Sequence, residues 1–349
     1  MRTRILGCWV LLACVSFAEP IELSLPTENH YLFSGEPEKF YMYVERVFEG
    51  ETTKPWEGGS FGYVRSPIRV GEHVVMTRFH EGIDIAPMSR DKAGNPLDLV
   101  MSISNGKVVH TSSIAGRSNY GKYVVVEHEW ENSKVYSLYA HLAEITAQIG
   151  DPVKAGTVLG RMGFTGTGID RTRAHVHLEI GMLMSTHYQA WHDQNFGSPN
   201  YHGNFNGMNI AGIDVAEFFL EQRQNPELKF SEFVLSRPVQ FKVTVPAAEA
   251  AEPDFLLRYP WMRREGVADP VSWEIGFAST GHIVSFTPSA RKVGAPVVTH
   301  IRPSEIPQRW LTRNLLTGEG SCTCLSAGGR SLVSLVMDSF PMTVSTPRR

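Results

Sequence analysis

Apolar and polar residues alternate most strictly at Ala174-His175-Val176-His177-Leu178-Glu179-Ile180, and a period of two predicts a strand. One face of that strand carries His175, His177 and Glu179; the other carries Val176, Leu178 and Ile180. Shorter runs of the same kind begin after Pro67. Leu99, Met101 and Ile103 precede Asn105-Gly106 and Val108-Val109 follow it, so the Asn-Gly pair, tolerant of positive φ, predicts a hairpin. Tyr123 to Glu127 and Val135 to Ala140 predict a second strand pair across Trp130 to Lys134, and Gly150, Gly156, Gly160 and Gly168 supply tight turns before the histidine strand. Helical periodicity is absent from Pro67 to Ile180, which points to a compact all-β domain of short antiparallel strands.

The flanks read differently. Residues 19–65 contain Pro20, Pro26, Pro37 and Pro55, and form an expected extended lead-in whose Trp56, Phe61 and Tyr63 either line a cleft or tack the segment onto the sheet. After Gly181 a long polar, aromatic loop with His187, Trp191, His192, Tyr201 and His202 is expected either to cover a site or to lack structure. Asp214-Val215-Ala216-Glu217 matches a capping box, with Val215, Phe218 and Phe219 as the apolar stripe of a helix laid on the sheet. From about Pro238, alternation returns at Phe241 to Val245, Trp273 to Phe277, Ile283 to Thr287 and Leu332 to Met337, predicting a second, smaller β-rich domain after a linker near Ala247 to Pro253. His282 and His300 are isolated there, and His128 has no motif partner, so packing or surface roles are expected for all three.

Composition changes this picture little. A chain of 349 residues with 42% hydrophobic content buries real cores, and a net charge of -3 with mixed signs offers nothing to nucleic acid or an anionic membrane surface. The N-terminus adds an address. Arg2 and Arg4 precede an apolar run to Phe17, and Ser16-Phe17-Ala18 suits cleavage before Glu19, so residues 1–18 read as a signal peptide. The run is too short to span a bilayer and no other stretch approaches that length, so export to the periplasm or beyond follows, with no transmembrane segment. Leu11-Leu12-Ala13-Cys14 also resembles a bacterial lipobox, which would make Cys14 a lipid anchor. Cys322 and Cys324 remain in the mature chain, as free thiols or as a pair meeting another chain.

Candidate chemistry gathers around the histidine strand. Two imidazoles on one face suit either two metal ligands or one ligand beside one base. Upstream, Phe79-His80-Glu81-Gly82-Ile83-Asp84-Ile85 predicts a short strand whose Ile83 and Ile85 face the core while Asp84 faces the other way, where His80 converges with it. Between them, Ser137, Tyr139 and His141 share a strand face and supply a third imidazole. Two neutral imidazoles and a carboxylate around zinc, with one position left for water, is a recurring hydrolytic arrangement, and the remaining histidines suit a base and an oxyanion donor.

At these residues the chain resembles the lysostaphin and LytM type zinc metalloendopeptidases, which cut peptide cross-links in bacterial peptidoglycan. The carriers are His80-x-x-x-Asp84, Tyr139-Ala140-His141-Leu142, His175-Val176-His177 and the turns Gly150-x-x-Val153-x-x-Gly156 and Gly163-x-x-Gly166, spanning roughly residues 61–184. The resemblance implies one zinc ion held by His80, Asp84 and His177, with His175 as base and His141 as oxyanion donor. It also implies a peptidase domain, placed over residues 66–235, and a peptidoglycan peptide as substrate, while the alternation noted above places a β-rich accessory domain over 236–349. The chain departs from the pattern at Met88 to Asp98 and at Gly168 to Arg173, insertions expected to rim the cleft, while Asp98 and Glu179 are either orienters of ligating histidines or surface charge. The rival from another class is a non-catalytic LytM-like module that binds a cell-wall amidase, for which ligands would be missing. A purely structural metal site would take four protein ligands and leave no spare imidazoles.

Overall fold

The computed structural model describes residues 20–247 and 252–341 of the protein. The expected signal peptide, the cleavage point before Glu19, the lipobox Cys14 and residues 248–251 of the expected linker lie outside the described residues.

The main sheet is organised on Val176–Leu183, whose residues are all buried. Along one edge this strand pairs antiparallel with Ser133–Ala140, followed outward by Tyr123–Trp130 and Gly106–Ser112. The other edge is divided: Ile83–Ile85 pairs with Val176 to Leu178, and Ile210–Gly212 pairs with Gly181 to Leu183. Alternation then sorts the side chains. Val176, Leu178, Ile180 and Met182 enter the main core with Ile83, Ile85, Val124 and Val126, while the histidine-bearing face lies opposite. On that second face Tyr123, Val125, Leu138, Ala140 and Ile210 form a smaller cluster against which Tyr120 and Phe205 pack. The turn between Tyr123–Trp130 and Ser133–Ala140 is Glu131-Asn132, with φ of 52° and 57°, the twist-matched form expected of a two-residue hairpin.

The expected hairpin at Asn105-Gly106 does not form. Leu99–Met101 pairs with Val158–Arg161 in a separate three-stranded sheet, whereas Gly106–Ser112 pairs with Tyr123–Trp130. A Cβ on Gly106 would sit 2.4 Å from the Glu127 carbonyl oxygen, so this glycine permits close strand approach, not a turn.

Asp214 caps Val215–Gln224 as expected, its carboxylate accepting the Glu217 N–H at 3.1 Å, but Glu217 pairs with Arg237 instead of reaching back. A further helix, Phe230–Ser236, follows it. The loop after Gly181 contains a helix of its own, Tyr188–Asn195, which buries Tyr188, Trp191 and His192. The lead-in is only partly extended: it has helical turns at Tyr31–Ser34 and Pro37–Phe40, and from Gly62 it opens into the hairpin Gly62–Val70 with His73–His80. Trp56 stacks on Tyr41, and Phe61 and Tyr63 meet Phe79 edge-on, so these aromatics tack the segment down.

Toward the C-terminus Phe241–Pro246, Ser272–Phe277, Ile283–Ser289 and Val297–Ile301 build a four-stranded sheet. Leu332 to Met337, expected as a strand, instead continues a helix, Ala327–Val336, capped by Ser326 Oγ, which accepts the Gly329 N–H at 3.0 Å. A short apolar run fits either period, and the serine cap settles it. One apolar cluster extends from the main sheet through Phe218, Phe230 and Phe233 to Phe241, Phe255 and Trp273. The Tyr259 hydroxyl ties the ends of two main-sheet strands to this region, donating to the Lys134 carbonyl at 2.8 Å and accepting the Leu183 N–H at 2.9 Å. Cys322 and Cys324 are free and exposed. No helix among the described residues is long and apolar enough to cross a membrane.

Candidate metal centre

Strand register brings the first and last motifs together. His177 lies directly opposite Asp84 on one side and Ala140 on the other, and His80 ends the strand that leads into Ile83–Ile85. Alternation aims Asp84 and His177 to one face because their neighbours Ile83, Ile85, Val176 and Leu178 are committed to the core. Three potential ligand atoms thereby converge: Asp84 Oδ1 lies 2.9 Å from His177 Nδ1 and 3.1 Å from His80 Nε2, and those two nitrogens are 3.1 Å apart. His80, Asp84 and His177 are all buried and form a group able to hold a metal ion.

The other atom of each ring fixes its tautomer, because a carbonyl or carboxylate oxygen can only accept. His80 Nδ1–H donates to the Ser60 carbonyl at 2.8 Å, and His177 Nε2–H donates to Glu179 Oε1 at 2.9 Å. In the neutral rings the lone pairs of His80 Nε2 and His177 Nδ1 are thus left on the Asp84 side. His175 Nδ1–H donates to the Arg173 carbonyl at 2.6 Å and His141 Nδ1–H to the Thr165 carbonyl at 2.9 Å. The rings of His175 and His141 are 4.6 Å apart, and His175 Nε2 is 3.3 Å from Asp84 Oδ1. His141 is held at φ 64°, a conformation a residue with a side chain adopts at a cost of about 1 kcal/mol or more and one that clusters at functional sites.

Electrostatics suit a cation. Burial opposes the charge of Asp84, but His175 and His80 beside it outweigh that and hold its carboxyl well below the usual range. Burial alone would lower His177, yet hydrogen bonds to Asp84 and Glu179 push it up to about 10, so with no cation present the ring holds a second proton on Nδ1 toward Asp84, at the point where a metal ion would replace it. Burial drives His80 and His141 down, keeping both neutral near pH 7.

A model of peptidase family M23 matches residues 78–189. The chain is 31% identical over 90 residues to lipoprotein NlpD of Yersinia enterocolitica, covering 26% of this chain and 84% of that one. It belongs to peptidase family M23. The M23 region is also similar to the lipoprotein NlpD/LppB homolog of Pseudomonas aeruginosa, at 31% identity over 120 residues, 34% of this chain. The chain spans about a third of that relative's length, 36%. Among solved structures, the catalytic domain of lysostaphin from Staphylococcus simulans aligns at 20% identity and a TM-score of 0.29, covering 54% of this chain and 96% of that domain. Membership of M23 bears out the resemblance carried by the His80, His141 and His175 motifs.

All the expected site residues of this M23 chain meet in one cleft, which His80, Asp84, His141, His175 and His177 line. Glu179 is no surface charge: it is 2% exposed and its Oε1 also accepts the Tyr120 hydroxyl at 2.6 Å. Asp98 is buried too, but holds the backbone N–H groups of Met88 and Ser89 and touches none of the histidines. His128 is packed between the Asn105 carbonyl and Ser137, as expected of a structural residue. Of the two insertions only Gly168 to Arg173 reaches the cleft, through Gly168, Ile169 and Arg173. Met88 to Asp98 braces it from behind, Arg90 donating to the Arg171 carbonyl and Arg171 to the Ala93 carbonyl, both at 2.8 Å. The loop after Gly181 supplies His202, Asn206, Gly207 and Met208 to the lining of the same cleft. Sequence reading missed Arg65, whose guanidinium donates to Asp84 Oδ2 at 2.6 Å, and Tyr120. It also missed the carbonyls of Ser60, Thr165 and Arg173, which have no side-chain signature to find.

Proposed function

We propose that this chain is a zinc metalloendopeptidase that hydrolyses peptide bonds in peptidoglycan stems or cross-bridges, with His80, Asp84 and His177 holding one zinc ion. The observation that supports it is the convergence of donor atoms: His80 Nε2, His177 Nδ1 and Asp84 Oδ1 lie within 3.1 Å of one another, and two further imidazoles are left over. Two imidazoles and one carboxylate are a zinc donor set that leaves a coordination position open. When bound, zinc acidifies a water and polarises a scissile carbonyl.

The chain's own residues supply the proton handling. His175, its Nδ1–H spent on Arg173, presents a bare Nε2 beside the centre and takes the proton of the attacking water. His141 has the same tautomer, so it donates to a developing oxyanion only when its ring carries a second proton. The two rings stand 4.6 Å apart, close enough for a proton taken by one to reach the other. Glu179 and Tyr120 hold His177 in its ligating orientation.

Purified mature protein is expected to carry about one zinc per chain and to release peptides from peptidoglycan, with release abolished by a chelator and by His177→Ala. Undiminished release by the His177→Ala protein defeats the proposal. Mass analysis of the fragments names the bond.

A second reading, a non-catalytic module that binds a cell-wall amidase, draws on the curated relatives, whose names denote lipoproteins and no enzyme. The filled positions at His80, Asp84, His141, His175 and His177 weigh against it, and the zinc and release assays separate the two. The same names support export with a lipid anchor, which in this chain falls to Cys14. A division near residue 235 into a peptidase unit and an accessory unit that positions it on the wall belongs to the same proposal.

A further inference from the structure

The cleft over the metal centre has a volume of about 830 Å³, and arginines line its walls. Arg65 and Arg78 are direct cross-strand partners in the hairpin Gly62–Val70 with His73–His80, and both line the cleft. Arg46 comes from the separate strand Arg46–Phe48, and Arg173 stands two residues before His175 of the histidine strand.

Like charges directly opposed across an antiparallel pair repel, and the fold tolerates them here in the wall of a cleft. Asp84 neutralises Arg65 at 2.6 Å. Arg78 is exposed and, like Arg46 and Arg173, forms no salt bridge among the described residues. The carboxylates that line the cleft are already engaged: Glu45 with Lys54, Glu81 with Arg313, Asp84 and Glu179 with the histidines. Arg173 is steadied by a hydrogen bond to the Gly168 carbonyl at 2.8 Å, while its Nε is buried without a partner. The wall therefore offers guanidinium groups and no free carboxylate to answer them. Guanidinium forks are matched by carboxylates, and a cleft whose unpaired charges are all of one sign concentrates ligands of the opposite sign.

We propose that the cleft selects anionic peptide segments, with carboxylates flanking the scissile bond received by Arg78 on one wall and Arg173 on the other. An uncharged glycine-rich bridge is then a poor substrate. This substrate class rests on the peptidase reading above, and the test keeps the two apart.

Intact mature protein is mixed with peptidoglycan in two forms: untreated, and with its free carboxylates converted to amides by carbodiimide and ammonia. Co-sedimentation reports binding and soluble peptide reports cleavage. Wild type is expected to bind and cleave the untreated form about tenfold better, the scale of one charge-assisted hydrogen bond. Arg78→Gln, an exposed position where folding is not at stake, is expected to bring that ratio toward one. Arg291→Gln, an exposed arginine away from the cleft, leaves the ratio as in wild type. Raising salt should lower the wild-type ratio, since Arg78 is exposed to screening. Equal binding and cleavage of both forms, a ratio unaltered by Arg78→Gln, or no binding to either form overturns the proposal. Binding that depends on carboxylates and on Arg78, with no peptide released, upholds the cleft's selection of anionic peptide and sinks the peptidase reading instead.

Discussion

Glu179 is the residue on which the orientation of the metal centre can be tested most directly. Its Oε1 accepts both the His177 Nε2–H at 2.9 Å and the Tyr120 hydroxyl at 2.6 Å, inside a site where the side chain is 2% exposed. Burial raises a carboxyl's pKa, but the hydrogen bond and charge of His177, with Tyr120, outweigh it and keep Glu179 ionised. Glu179→Gln keeps the shape and an accepting oxygen but removes the charge; Glu179→Ala removes both and frees the His177 ring to turn. A buried hydrogen bond to a charged acceptor is worth about 1.5–3 kcal/mol. Loss of a carboxylate that orients a ligating histidine typically costs 10–100-fold in metal affinity, or about 1.4–2.7 kcal/mol. Zinc should therefore bind about tenfold more weakly to Glu179→Gln and about a hundredfold more weakly to Glu179→Ala. Competition against a chromophoric chelator measures this, with circular dichroism of the zinc-free proteins as the check on folding. A correctly folded Glu179→Ala protein that binds zinc as tightly as wild type would refute the orienting role.

Two other perturbations follow from the same geometry. His175→Ala and His141→Ala should each retain zinc while losing roughly 10²–10⁴-fold in peptide release, and because the adjacent rings act as a unit the double variant should cost little more than either single; costs that simply multiply would show independent roles. Asp214, the helix cap, has its pKa pushed up to about 6 by burial and by Glu217, against the Glu217 N–H that favours its charge. The folded chain then binds this proton more tightly than the unfolded one, so stability falls as pH rises from about 4 to about 6 and the full penalty stands above that. Because the side chain is only partly buried and sits at a helix N-terminus, the penalty is put at about 1 kcal/mol. Asp214→Asn keeps a capping oxygen and should be more stable than wild type at pH 7 but not at pH 4, in urea melts; an equal difference at both pH values would contradict the assignment.

Local rules carried much of the fold. Strict alternation at Ala174 to Ile180 committed His175, His177 and Glu179 to one face, and Ile83 and Ile85 did the same for Asp84, because in a buried strand a one-residue slip would exchange core and site. The Asp214 cap and the strand pair across Trp130 to Lys134 were legible for the same reason: each is decided within a few residues. Where two local solutions were near in energy, sequence reading failed, as at Leu332 to Met337, where one serine cap made a helix of an apolar run. It failed also at Asn105-Gly106, where pairing with Tyr123–Trp130 outbid the turn. Sequence by itself, then, determined which residue types face the site and in what order they come. Tertiary structure decided the distances between them, the tautomers set by the Ser60, Thr165 and Arg173 carbonyls, and the approach of Arg65, Tyr120 and His202. Those are contacts between segments far apart in the chain, and their free energy depends on burial and register that no local pattern encodes.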